Sequence, residues 1–85
     1  MKDTVQTIRE VIARVAMVPV REVVDTASIS SLGISSFDRI ECVLAIEEAL
    51  HIELPQETLE QARTVADFLA AVEKVMAERT IAESA

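Results

Sequence analysis

Aromatic residues are nearly missing from this 85-residue chain, which has two phenylalanines and neither tryptophan nor tyrosine. Turn-forming residues are scarce too, with one glycine and two prolines. Sheets need such residues between strands and usually draw on aromatics to cover their faces, so the composition argues against hairpins and for helices. The single cysteine, Cys42, can form no internal disulfide, and with the single histidine, His51, it cannot furnish a structural zinc site. A reducing, cytoplasmic setting is expected. Basic residues are few, eight against fifteen acids for a net charge of −7, which argues against nucleic-acid phosphate or an anionic membrane as the main partner and points to basic ones. No run approaches the roughly 20 apolar residues of a membrane span and no apolar signal core opens the chain, so a soluble protein without membrane insertion is expected.

What is plentiful is Ala, Val, Ile, Leu and Glu, and 51% of the chain is hydrophobic. A domain of this size buries only about 60–65% of its unfolded surface, enough for one core but not for a deep walled active-site cavity. The expected fold is all-α with four helices. Val5, Ile8, Val11, Ile12 and Val15 recur at helical spacing, with Asp3 or Thr4 as cap and an end near Met17, because Pro19 cannot continue the helix. Residues 18–36 read as a long loop with Gly33 and a serine-rich run. Its Val23, Val24, Ile29, Leu32 and Ile34 predict that it is pinned to the core, with a short helical turn over 21–24. A second helix runs from Ser36 to Leu50, with Ser35 as N-cap and Asp38 completing a capping box. A short third helix opens at Pro55 and Gln56 and ends near Ala62. Thr64 and Asp67 repeat the capping pattern before Val65, Phe68, Leu69, Val72, Val75 and Met76 in a fourth. Residues 1–77 form the expected domain and 78–85 a frayed polar tail.

Enzymatic constellations fare poorly. Cys42 and His51 are separated by about 13 Å of helical rise, so they form no nucleophile pair; a buried thiol and a helix-end histidine are expected instead. Glu47 and Glu48 point in different directions around their helix, and the acid-rich calcium-loop pattern is absent. The placement of charge is more informative. Residues 38–60 hold seven acids and one base, Arg39, whereas the rest of the chain holds eight acids and seven bases. So one-sided a distribution suits electrostatic steering of a basic partner. The second helix also carries two apolar stripes. Val43, Ile46 and Leu50 suit a core. Phe37, Ile40 and Leu44, bordered by Glu41, Glu47 and Glu48, suit either a covering loop or a docking face.

The run Leu32-Gly33-Ile34-Ser35-Ser36-Phe37-Asp38-Arg39-Ile40-Glu41 resembles the L-G-x-D-S-L-x-x-V-E signature of acyl carrier proteins. Ala45-Ile46-Glu47-Glu48, Ile52-Glu53-Leu54-Pro55 and Thr64-Val65-Ala66-Asp67 resemble further segments of that family, and the likeness covers residues 4–76. The resemblance implies a small four-helix acyl-carrier-type bundle, with a 4′-phosphopantetheine arm on Ser36 that holds an acyl intermediate as a thioester. It further implies that Ser35, Phe37, Asp38, Ile40, Glu41, Leu44, Glu47 and Glu48 meet partners. Those partners would be a phosphopantetheinyl transferase and basic enzymes of lipid (fatty-acid) or polyketide biosynthesis. Two positions depart from the family pattern, Ser35 for aspartate and Phe37 for leucine, and suggest a free-standing, specialised, monomeric carrier that is not itself an enzyme. The rival readings are a non-covalent interaction module that kept the fold without the arm, and a peptidyl or aminoacyl carrier.

Overall fold

The computed structural model describes residues 3–84, apart from the side chains at 56, 58, 59 and 79–84. Among the described residues the α-helices are, in chain order, α1 (Thr4–Ala16), α2 (Ser36–Leu50), the six-residue α3 (Gln56–Gln61) and α4 (Val65–Ser84), with a 3-10 turn at Val20–Glu22. The all-helical expectation holds; the described residues contain no strand, only an isolated antiparallel bridge between Ser28 and Thr64.

Helix starts are local chemistry. Asp3 caps α1 by accepting from the Gln6 amide at 2.7 Å, one of the amides that a helix start leaves without a carbonyl partner. The helix ends when Met17 turns left-handed (φ 61°), which lets the Val18 amide donate back to the Ala13 carbonyl at 3.0 Å. At α4, the Asp67 amide donates to the Thr64 hydroxyl while the Asp67 carboxylate accepts from the Thr64 and Arg63 amides. Those hydrogen bonds hold the Asp67 carboxyl below its ordinary range.

The C-terminal segment is helical in its backbone. The backbone read as a polar tail from residue 78 continues α4 without a break to Ser84; Ala85 lies outside the described residues. The physical reason is propensity. Ala, Glu and Arg favour helix, and no Gly or Pro interrupts residues 65–84, so polarity alone supplies no stop signal.

The core forms where α1, α2 and α4 meet. Ile8 and Ile12, Cys42 and Ile46, and Val65, Phe68 and Val72 are all essentially inaccessible, each large apolar side chain worth roughly 1.5–3 kcal/mol of burial. The long loop joins them through Val23, Ile29 and Ile34. Its backbone is tied to the start of α4: the Ile29 amide donates to Arg63 at 2.8 Å, and the Val65 and Ala66 amides donate to Ala27 and Asp25, each at 3.0 Å. Arg9 on α1 reaches both the Val23 carbonyl and the Asp25 carboxylate. The loop is therefore pinned as its apolar residues suggest, although Val24 stays exposed. Gly33 adopts φ 83° two residues before the cap of α2, a conformation that penalises any side chain even though open space surrounds its Cα.

Candidate functional site: the start of α2 and its groove

Ser36 is the first residue of α2 and is exposed, because the preceding residue, not Ser36, does the capping. Ser35 is extended (φ −74°, ψ 174°). Its hydroxyl accepts from the Asp38 amide at 3.1 Å, and the Asp38 carboxylate accepts from the Ser35 amide at 3.2 Å. This reciprocal box leaves the Ser36 hydroxyl uncommitted to capping. The helix start also directs its first-turn amides and positive dipole end toward any phosphate attached there. The arrangement fits a phosphodiester on Ser36.

The two stripes of α2 separate as the core demands. Cys42 and Ile46 are buried, with Val43 and Leu50 half-buried at their edge, whereas Phe37, Ile40 and Leu44 remain 71%, 54% and 59% exposed. No described segment covers them. Exposed Glu41 and Glu48 follow Phe37 and Leu44 at helical spacing, so α2 presents an apolar strip with an acidic border. Cys42, by contrast, is pushed up to about 11, first by burial and then by the Asp38 and Glu41 charges, so it stays a protonated thiol with no nucleophilic role. His51 occupies the left-handed C-cap of α2 (φ 56°), the helix-end position expected of it.

A groove of about 840 Å³ begins at Ser35 and Ser36 and runs along α2. Ser36, Ile40, Val43 and Glu47 recur at helical spacing along it, and Ile34, Leu44 and Leu54 add apolar wall. Apolar surface predominates in the groove, although six of the eleven described lining residues, Ser30, Ser35, Ser36, Arg39, Glu47 and Glu60, are polar. This volume lies within the range of pockets for small ligands.

Two groups of this groove make backbone contacts that sequence reasoning did not place. Glu47, expected on the partner-facing surface, is half-buried, and its carboxylate accepts from the Leu54 amide at 2.8 Å. That acceptor role depends on how the chain folds back seven residues later. Arg39, counted only as the lone base of an acidic region, donates to the Ala62 and Glu60 carbonyls at 2.6 and 3.2 Å. Neither contact has a sequence signal, since every residue offers the same backbone acceptor.

Residues 6–72 match the protein family described as the phosphopantetheine attachment site. The chain is 45% identical over 51 residues to an acyl carrier protein of Akkermansia muciniphila, a stretch covering 60% of this chain and 64% of that protein. It is 33% identical over 75 residues to an acyl carrier protein of Zymomonas mobilis, covering 87% of this chain and 96% of that protein. The group this fold carries is 4′-phosphopantetheine, held covalently, and members act as carriers rather than as enzymes. The motif at the head of α2, the family match over residues 6–72 and the likeness across 87% of this chain together place it in the acyl carrier protein family.

Proposed function

We propose that Ser36 bears the arm and that the protein presents an acyl thioester to lipid or polyketide biosynthetic enzymes in the cytoplasm. The observation that carries the reading is the uncommitted, exposed hydroxyl of Ser36 at the head of α2, directly beside an aliphatic groove. Loading breaks the pyrophosphate bond of coenzyme A as the Ser36 oxygen bonds the phosphorus nearest the pantetheine; the hydroxyl proton passes to the transferase and adenosine bisphosphate leaves. The bound group then supplies a thiol that forms thioesters. This chain's residues do the rest: the first turn of α2 stabilises the phosphodiester, and the groove shelters an aliphatic chain from water.

Phe37, Ile40 and Leu44 form the apolar centre of the docking face, and Glu41 and Glu48 form the rim that steers basic enzymes. Asp38 and Glu47 serve that face indirectly, through the cap and the groove wall. The short α3 acts as the fourth member of the bundle. Incubation with coenzyme A and a set of phosphopantetheinyl transferases, followed by intact-mass measurement, tests the assignment. Wild type should gain one phosphopantetheinyl group and Ser36→Ala none, with unchanged helicity. Modification at Ser35 would move the register by one residue, and failure of every transferase would favour a non-covalent interaction module.

A further inference from the structure

The segment 54–62 is held against α2 at both of its ends by side chains of α2 itself. Before α3, the Glu47 carboxylate accepts from the Leu54 amide at 2.8 Å. After it, the Arg39 guanidinium donates to the Glu60 and Ala62 carbonyls. Arg39, Glu47, Leu54 and Glu60 all line the groove, so the cavity lies between α2 and a strap tied at each end. The strap needs its ties. A six-residue helix is far below the roughly 12–15 residues at which helices become marginally stable alone, and α3 has no basic residue in its own last turn to meet its terminal carbonyls. Arg39 supplies that cation from another helix.

We infer that Arg39 and Glu47 are positioning residues that set the width and length of the groove, and hence the length of acyl chain this carrier shelters. The inference deepens the carrier reading and rests on it. The two ties are eight residues apart on α2, or about 12 Å at 1.5 Å per residue. Cutting either tie lets the strap move outward and admits longer chains.

The test has two arms. In the first, amide hydrogen exchange is followed on the protein without its arm, for wild type, Arg39→Ala, Arg39→Lys, Glu47→Ala and Glu47→Gln. Amides of residues 57–62 should exchange about ten- to a hundred-fold faster in Arg39→Ala, the factor implied by a lost charge-assisted hydrogen bond. Glu47→Ala should loosen the start of the strap similarly. Arg39→Lys should recover part of the protection, and Glu47→Gln, which keeps an acceptor oxygen, most of it. In the second arm, a series of saturated acyl thioesters on the arm is cleaved with hydroxylamine. Wild-type protection should rise with chain length and then level off, and the plateau should move to longer chains in both alanine variants. An unchanged plateau in variants whose strap amides do exchange faster would overturn the inference, leaving the ties a purely structural role. So would unaltered amide exchange. Wild-type cleavage independent of chain length would instead remove the shelter reading itself, and the first arm would still report separately whether the ties hold the strap.

Discussion

Replacing Ser35 with aspartate and Phe37 with leucine should speed loading by a general acyl-carrier transferase, without altering the fold. The structure allows recognition and stability to be separated here. Ser35 caps α2 through its hydroxyl at 3.1 Å from the Asp38 amide, and aspartate caps about as well as serine. A carboxylate at the helix start gains about 0.3–1 kcal/mol from the dipole, but like-charge repulsion with the neighbouring Asp38 offsets part of it. Phe37 is 71% exposed, so exchanging it for leucine removes little packing. The fold should therefore stay within about 0.5 kcal/mol, as for ordinary surface substitutions. Recognition changes more. A hydrogen bond to a charged group is worth about 1.5–3 kcal/mol, so a new carboxylate facing a basic transferase should raise the rate roughly ten- to a hundred-fold. The assay is a time course of the mass shift at limiting transferase for wild type, each single variant and the double variant, with thermal melts beside it. Equal rates for all four would refute the reasoning and remove the ground for calling this a specialised carrier. A rate gain paralleled by a large melting shift would trace the effect to stability instead.

Ser35→Ala should cost about 0.5–2 kcal/mol through the lost cap, read as a melting point lower by several degrees, since roughly 4–8 °C accompanies each kcal/mol in a domain this small; an unchanged melt would deny the capping box a stabilising role. Reversing Glu41 and Glu48 to lysine should slow association with basic enzymes of acyl-chain synthesis, and added salt should weaken wild-type association in the same way. Salt-independent association kinetics that survive both reversals would reduce the acidic border to simple solvation. Cys42 imposes a pH limit: well below pH 9 its thiol is protonated in folded and unfolded chains alike, but between 9.0 and about 11 the unfolded chain ionises first, so stability should fall across that window by about 3 kcal/mol. Denaturant melts of wild type and Cys42→Ala through that range check it, and parallel pH slopes would exclude the thiol as the cause.

The sequence by itself determined the features whose partners lie within one helical turn. The caps at Asp3, Ser35 with Asp38, and Thr64 with Asp67 each close over three residues, so side-chain type and spacing suffice to place the helix starts. Family membership was likewise legible, because the motif around Ser36 is contiguous. Other features were decided only by tertiary structure. Whether Phe37, Ile40 and Leu44 would be covered depended on where the long loop went, and that loop turns to the start of α4, leaving the strip bare. The roles of Glu47 and Arg39 depended on backbone amides and carbonyls brought near by chain reversal, 7 and 21–23 residues away. Backbone groups are the same at every residue, so such contacts leave no trace in side-chain pattern; they exist only once the helices have packed and fixed which amide and which carbonyl lie within reach.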